Sequence, residues 1–389
     1  MNFDYSVGIH LLVLINLKDL VNVMRKLFVC SLFLFMLAAC ITDFTPEVKG
    51  VRGILVVDGM ITGEESEFRI SRSVGILDNL RENDTITDAR VSVERSDGVL
   101  FEAWQNEKGV YKVRNGELDP GLSYRLNFAL EGKSYQSAFL KPLFTPEIDS
   151  LSYHKRGREE PVTIHVSSHA GKDSPPYYRW SYKENWEVQS PLYANAGTID
   201  GKFMYFNPYT PDNLYHCWVK DSSKILLIGT TEKLAENRLA EHKLFEISAA
   251  DERLSILYHV EISQMQIRKE AYDYFKMLQE EIERTGSIFS PVMSAGDNGN
   301  IFNISDPDEL VIGYVEVTTS TQKGMYLSYE DDLYVPDKII PCEIYPKDFP
   351  MGGLAWYQYP DSKTYPRCVD CRQGKATKDR PSWWPNDHY

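Results

Sequence analysis

The chain has 389 residues, of which 43% are hydrophobic and 12% are aromatic. This composition is sufficient for packed cores and excludes an intrinsically disordered protein, while the length predicts two domains or one large domain with insertions. The formal net charge of −14 excludes the basic face that nucleic-acid binding requires.

Residues 24–39 have the parts of a secretory signal peptide: a basic start, an apolar run and small residues before Cys40. The apolar run is shorter than the roughly 20 residues that a membrane-spanning helix needs. Residues 37–40 read Leu-Ala-Ala-Cys and resemble a lipobox, so we predict cleavage before Cys40 and acylation of its thiol. Residues 1–23 do not fit an export signal, and we expect translation to begin at Met24. Residues 40–50 then form a polar tether.

Residues 51–140 are rich in strand signals. An apolar run at 54–57 ends in Asp58 and Gly59, and a hairpin is predicted around Asp97 and Gly98. In residues 124–130, apolar and polar side chains alternate strictly. Tyr124 follows a Leu-Asp-Pro-Gly turn, which resembles the tyrosine corner of immunoglobulin-like domains. We therefore predict an immunoglobulin/fibronectin-like β-sandwich here within a mainly β protein.

Residues 141–389 are predicted to form a larger β-rich domain with one prominent amphipathic helix. The prolines in 141–146 indicate a linker, and apolar runs predict strands at 161–166, 177–182, 217–219, 225–229 and 254–260. Apolar residues at helical spacing predict a helix over 264–285, with Ser263 and Gln266 as a capping box and Gly286 as its stop. The aromatic residues of 177–186 could stack on sugars, but their alternation favours a core position.

Four cysteines remain after the signal peptide and Cys40 are set aside: Cys217, Cys342, Cys368 and Cys371. An exported protein favours disulfides, and four cysteines allow three pairings. We expect Cys342 to pair with Cys368 or Cys371, because that bond would tie the tail to the body, and Cys217 to take the remaining cysteine. A zinc site with Cys342 and His388, or a redox Cys-x-x-Cys, is the alternative reading of the tail.

The sequence contains neither the Gly-x-Ser-x-Gly nucleophile motif of hydrolases nor the His-Glu-x-x-His motif of zinc proteases. We therefore predict a protein that is not an enzyme and uses no cofactor or metal. The acidic stretch that ends at Glu309 resembles a calcium loop, but its glycine comes too early for the standard spacing. The stretch 351–359 is rich in glycine and aromatic residues. Exposed tryptophan and tyrosine are favoured interface anchors, which makes Trp356, Tyr357 and Tyr359 candidate partner-binding residues. The alternative is that this stretch simply packs into the second domain.

Several segments, in order, are similar to one family. They are 55–62, 70–73, 217–218, 229–231, 264–274, 286–289, 299–303, 311–314, 366–371 and 383–384. Together they resemble the domain of unknown function family 4249, outer-membrane lipoproteins of the Bacteroidota that are often encoded beside TonB-dependent receptors. The family has no assigned catalytic residues.

The resemblance implies a lipid-anchored accessory lipoprotein that associates with a TonB-dependent β-barrel transporter. Acidic residues soon after the anchor, Asp43 and Glu47, favour display on the cell surface over the periplasmic face. The alternative function is capture of a glycan or peptide at the cell surface. A hydrolase with an unrecognised site is the third hypothesis.

Overall fold

The computed structural model describes residues 53–73, 85–107, 109–207, 213–285, 299–336 and 341–385. The predicted signal peptide, the acylation site Cys40 and the tether lie outside these residues. All of these residues belong to one compact unit. Among the helices of the described ranges, none combines the length and apolar character that crossing a membrane requires.

The described chain is mainly β, as predicted, and its first twelve strands are β1 (Leu55–Met60), β2 (Glu64–Arg72), β3 (Arg90–Arg95), β4 (Leu100–Glu107), β5 (Val110–Gly116), β6 (Tyr124–Leu130), β7 (Lys133–Ser137), β8 (Ile148–His154), β9 (Val162–His169), β10 (Tyr177–Gln189), β11 (Ala196–Ile199) and β12 (Lys202–Tyr205). The later strands are β13 (His216–Ser222), β14 (Leu227–Thr230), β15 (Arg238–Ile247), β16 (Leu257–Ile267), β17 (Ile301–Asn303), β18 (Val311–Ile312), β19 (Ser320–Ser328), β20 (Ile344–Pro346), β21 (Ala355–Gln358) and β22 (Ser362–Thr364). Two α-helices are described, α1 (Lys269–Thr285) and α2 (Pro366–Val369), with short 3₁₀ turns at Glu252–Leu254 and Tyr329–Asp331.

The first seven strands belong to a nine-stranded sheet with the order β17-β7-β6-β3-β4-β5-β2-β1-β18. The predicted alternation in β6 is confirmed, because Tyr124, Leu126, Phe128 and Leu130 are all buried in one core. The Tyr124 hydroxyl accepts a hydrogen bond of 2.9 Å from the backbone N–H of Asp119. This bond fixes the turn before β6.

Two strands from much later in the chain complete this sheet. β17 pairs antiparallel with β7, and β18 pairs parallel with β1. Gly299 lies just before β17, and Gly313 lies directly after β18. These two glycines form a bridge, and the Asn300 N–H donates to the Gly313 carbonyl at 3.1 Å. Gly299 has a φ of +110°, and a Cβ there would lie 1.8 Å from the Gly313 oxygen. The near closure of the sheet therefore requires glycine at this contact.

The rest of the chain forms smaller sheets around a second core. One has the order β13-β10-β16-β19, with β14 also paired to β10, and another has the order β15-β9-β8. The aromatic residues of β10 lie mainly in the interior, since Tyr178 and Trp180 are buried in this core and Tyr177 beside α1. This placement agrees with the core interpretation of their alternation.

The predicted helix start at residue 264 was wrong, because the helix begins only at Lys269. Residues up to Ile267 belong to β16, which is paired on both sides with β10 and β19. Gln264 is fully buried and accepts a hydrogen bond from the Trp180 indole at 2.9 Å. Strand pairing thus overrides the local capping pattern, and the predicted capping box of Ser263 and Gln266 is absent.

Helix α1 packs one face against the strands below it. Ala271, Tyr274 and Phe275 are buried there with residues of β1, β10, β16 and the β18 region. The Arg179 guanidinium from β10 lies 4.5 Å from the centre of the Phe275 ring. The predicted apolar stripe is therefore the buried face, and it joins the nine-stranded sheet to the second set of strands.

Candidate functional site

Two disulfides hold the C-terminal part of the chain. Cys342 bonds to Cys368, and Cys371 bonds to Cys217 of β13. This is one of the two arrangements expected from the sequence. The first bond encloses residues 342–368 in a covalent ring, and the second attaches that ring to the large core. Each cysteine of the Cys-x-x-Cys is bonded elsewhere in the chain, so the zinc and redox readings do not apply to this pair.

The end of the acidic stretch at Glu309 is engaged within the protein, and its first residues, 297–298, lie outside the described residues. Glu309 accepts hydrogen bonds from the Lys133 amine and the Asn303 amide, both at 2.5 Å, and from the Tyr135 hydroxyl at 3.1 Å. Burial acts to raise the pKa of Glu309. These hydrogen bonds and the positive charge of Lys133 outweigh burial and hold that pKa below its usual range. Within the described ranges, no three histidine, cysteine or carboxylate side chains are grouped to hold a metal ion.

The disulfide ring contains a small sheet with the order β20-β22-β21. Lys363 in the central strand is paired with Tyr345 on one side and with Trp356 on the other. Directly opposed residues on neighbouring strands share a face of the sheet. The small sheet therefore presents two aromatic residues on one face, with a lysine between them.

Other aromatic residues extend this face in both directions. Phe349 stacks on Tyr345 with ring centres 4.5 Å apart, and Tyr359 meets Trp356 at 4.9 Å. Phe203 and Tyr205 of β12 reach Tyr359 at 4.9 and 5.5 Å. We call these six residues the aromatic strip: Phe203, Tyr205, Tyr345, Phe349, Trp356 and Tyr359.

Much of the strip is open to solvent. Tyr205 is 69% exposed, Phe203 45% and Phe349 39%. The Lys363 amine lies 4.5 Å from the centre of the Trp356 ring, which places a cation against that ring. Exposed apolar groups in contact with one another, rather than scattered singly, mark an interaction surface.

Hydrogen bonds fix the strip to the body. The Asn195 side-chain oxygen accepts from the Tyr359 N–H at 2.7 Å, and its amide group donates to the Tyr359 carbonyl at 3.3 Å. The Asn195 N–H donates to the Tyr357 carbonyl at 3.0 Å. These bonds brace the backbone of the strip at Tyr359 and at the neighbouring Tyr357.

The three residues predicted to bind a partner separate in the structure. Trp356 and Tyr359 lie in the strip, whereas Tyr357 packs against a buried cluster that includes Phe206 and Leu214. The other four residues of the strip, Phe203, Tyr205, Tyr345 and Phe349, were not predicted from the sequence. Phe203 and Tyr205 were the more distant pair. Their alternation directly after the Asp200-Gly201 turn was the available signal, but nothing local connects that hairpin with residues 150 positions later.

A second feature is a cleft of about 820 Å³ at the C-terminal end of β9, lined by residues of the β9–β10 and β14–β15 connections and by Asp149 of β8. His169 and Asp149 form a pair on its wall, with the imidazole Nδ1 2.9 Å from both carboxylate oxygens. Near the loop after β14, the Tyr177 hydroxyl donates to Glu232 at 2.7 Å, and this bond raises the pKa of Tyr177 to about 12.

The sequence model of the family described as "Domain of unknown function (DUF4249)" matches residues 41–324. The chain belongs to the DUF4249 family. The DUF4249 match includes Phe203 and Tyr205 and ends within β19, so the disulfide ring lies beyond it. The glycines that meet at the sheet closure both lie within the matched residues.

No curated protein matches this DUF4249 chain. Among solved structures, it is similar to a DUF4785 family protein from Legionella pneumophila subsp. pneumophila, at 11% sequence identity and a TM-score of 0.18. That match covers 54% of this chain and 52% of the other, so this chain spans about half the length of the solved structure.

Proposed function

We propose that the protein is a lipid-anchored, non-enzymatic docking module of the outer membrane whose partner is a TonB-dependent β-barrel receptor. The family resemblance supplies the partner class, and the lipobox at Cys40 supplies the anchor. The observation that carries a docking role is the aromatic strip, because it combines exposed tyrosine and phenylalanine with a braced backbone. No cofactor or metal takes part in this proposal.

Ring orientation favours a protein partner over a sugar. The rings around Tyr359 are tilted by 56° to Phe203, 79° to Tyr205 and 80° to Trp356. Edge-to-face rings build a ridge, whereas a pyranose ring needs one flat face to stack on. A ridge suits insertion into an apolar groove, where aromatic anchors contribute most of the binding energy. This geometry ranks docking above glycan capture at this site.

Membrane anchoring would make a weak contact sufficient. A lipid on Cys40 confines the protein to the same plane as the receptor and raises the effective concentration of one for the other. A stable contact buries on the order of 1,000 Å² or more. The strip together with the surface around it is the proposed centre of that contact.

Capture from membranes tests the docking proposal. A tagged copy solubilised in mild detergent should bring down a β-barrel receptor. The double variant Phe203→Ser/Tyr205→Ser should reduce capture by about tenfold or more, because hot-spot aromatic residues dominate interface energies. Phe144→Ser is the matched control, since Phe144 is 50% exposed and lies outside the strip. Capture of no β-barrel under any growth condition, or equal capture by the double variant, contradicts the proposal.

Two further experiments address the anchor and its location. Cys40→Ser should abolish labelling with palmitate, and unchanged labelling would exclude acylation at this residue. We propose surface display, on the basis of Asp43 and Glu47 close to the anchor. Protease treatment of intact cells should then cleave the protein, whereas complete protection would place it on the periplasmic face.

We also propose that the first seven strands derive from an immunoglobulin/fibronectin-like sandwich. The Tyr124–Asp119 hydrogen bond supports this relationship. In addition, β4 pairs with β3 through its first residues and with β5 through its later ones. A strand that passes between neighbours in this way can join the two layers of a sandwich. An experimental structure in which these strands form a single layer would contradict the relationship.

A further inference from the structure

Two histidines lie side by side on the small sheet β15-β9-β8. His154 ends β8 and is paired with Thr163 of β9, and His165 is two residues farther along β9. The two histidines are therefore diagonal neighbours on one face of the sheet, and their ring centres are 4.6 Å apart. The docking proposal uses neither residue.

Each of these rings has a nitrogen that is available as a metal ligand. The Nε2 of His154 lies 3.1 Å from a carboxylate oxygen of Glu241. An ionised carboxylate only accepts hydrogen bonds, so in the neutral ring the proton is on Nε2 and the lone pair is on Nδ1. The Nδ1 of His165 is buried and has no hydrogen-bond partner among the described residues. Because buried polar atoms are usually satisfied, this nitrogen is the second candidate ligand.

An irregularity in β15 directs Glu241 onto His154. The pairing of β15 with β9 shifts register between Leu239 and His242, and Glu241 has a φ of +48°. A β-bulge of this kind re-aims a side chain. Metal-ligating histidines almost always donate their other ring N–H to a carboxylate, a carbonyl or water, which fixes the ring and raises the basicity of the ligating nitrogen. Glu241 is placed to do this for His154.

The spacing of the two rings selects a coordination geometry. An ion about 2.0–2.1 Å from one nitrogen of each ring lies about 3.2 Å from each ring centre. The ring centres are then about 4.5 Å apart if the two nitrogens subtend a right angle at the ion, and about 5.2 Å apart at a tetrahedral angle. The observed 4.6 Å matches the right angle. Right angles belong to tetragonal sites of copper(II) or nickel(II), and copper(II) binds nitrogen ligands the more tightly of the two.

We propose that His154 and His165 bind one copper(II) ion through their Nδ1 atoms, with Glu241 as the residue that positions His154. Two imidazoles are fewer than the protein ligands of a closed metal site, so the other positions remain for water or for donor atoms of a bound molecule. The His154 side chain is 48% exposed, which gives the ion a path in and out. Lys243 lies opposite His165 on β15, but its amine is held by Glu246 at 2.7 Å. The site takes up an exchangeable ion, and it does not depend on docking.

Calorimetric titration with copper(II) tests this site in the mature acylated protein, purified in mild detergent without a histidine tag. We expect one tight equivalent, and the electron paramagnetic resonance spectrum of the bound ion should show coupling to two imidazole nitrogens. His154→Ala and His165→Ala should each remove this equivalent. Glu241→Ala should weaken it by about 10–100-fold, the usual effect of losing such a partner, and should keep the two-nitrogen spectrum. Glu241→Gln retains an acceptor for His154 and should restore part of the affinity.

His169→Ala is the matched control. His169 lies in the same strand as His165, is 71% exposed and is paired with the carboxylate of Asp149 instead of another imidazole. Its loss should leave the tight equivalent unchanged. Undiminished copper(II) binding by the His154 and His165 variants would overturn the proposal, and so would the absence of a tight equivalent or coupling to a single nitrogen. Since no receptor is present, failure here is distinguishable from failure of receptor capture.

Discussion

The glycine contact that nearly closes the large sheet gives the sharpest test of the fold. In Gly299→Ala, the new Cβ would lie 1.8 Å from the Gly313 oxygen, at a backbone φ of +110°. A side chain in that conformation costs about 1–3 kcal/mol in strain alone. Relieving the overlap requires a shift of more than an ångström, so the contact between the two segments must open.

The cost of opening can be worked out from the hydrogen bonds at this point. The Asn300 N–H donates to the Gly313 carbonyl at 3.1 Å. The Asn300 side chain also exchanges two hydrogen bonds with the Val315 backbone, at 2.8 and 2.9 Å. Each bond contributes about 0.5–1.5 kcal/mol net. Strain and the three lost bonds together predict a loss of roughly 5 kcal/mol, against a typical total stability of about 5–15 kcal/mol.

Urea unfolding of the mature protein in mild detergent, followed by tryptophan fluorescence, measures this loss. Gly63→Ala is the control, because Gly63 has no positive φ and no atom within 4 Å of the position its Cβ would take. It should change the unfolding free energy by less than about 0.5 kcal/mol. A loss below about 1 kcal/mol for Gly299→Ala, or equal effects for the two variants, would refute the closure described here.

Three more predictions concern the disulfides, one carboxylate and one hydroxyl. A disulfide that closes a longer loop removes more conformational entropy from the unfolded chain. Cys371→Ser opens a bond spanning 154 residues and should lower the unfolding free energy by about 5 kcal/mol, whereas Cys342→Ser opens one spanning 26 residues and should lower it by about 3.5 kcal/mol. The reverse order in urea unfolding would contradict this argument. The amines of Lys224 and Lys375 hydrogen-bond Asp221 and hold the pKa of its carboxyl well below the usual range. The ionised carboxylate therefore stabilises the folded protein above about pH 4, and this contribution is lost as the pH falls through the folded-state pKa. Asp221→Asn should therefore lower stability at pH 7 by up to about 1 kcal/mol, with a difference that shrinks in acid; a constant difference across a pH series would show that ionisation is not its cause. Tyr124→Phe leaves the Asp119 N–H without its acceptor and should lower the unfolding free energy by about 1 kcal/mol in the same assay. An unchanged unfolding midpoint would show that this hydrogen bond does not stabilise the fold.

Patterns contained within one element were predictable from the sequence. The strict alternation from Tyr124 to Leu130 predicted a strand with one buried face, and the structure buries that face. The apolar stripe at Ala271, Tyr274 and Phe275 predicted the contact face of α1. Such patterns are readable because side-chain direction follows directly from the period of the strand or helix.

Features that depend on distant partners were not predictable in the same way. The sequence around Gln264 satisfies a helix cap, but β10 and β19 lie on both sides of it and make a strand more favourable. Two of the six residues of the aromatic strip were visible in the sequence, because Trp356 and Tyr359 stand in a recognisable aromatic stretch. Phe203 and Tyr205 come from β12, and Tyr345 and Phe349 from another part of the disulfide ring. The cleft is assembled from two separate connections and one residue of β8. A single sequence carries no signal for such contacts between segments that are far apart in the chain.

The contribution of β17 and β18 to the first sheet has a consequence for the order in which this sheet forms. Synthesis from the N-terminus produces β1 and β7 long before residues 301–312, so both outer edges of the sheet wait unpaired. Unpaired edges recruit other strands, and contacts between distant segments form slowly. Early binding of a chaperone to these edges would therefore protect the protein from aggregation, and the appearance of residues 301–312 would set the pace at which the sheet is completed.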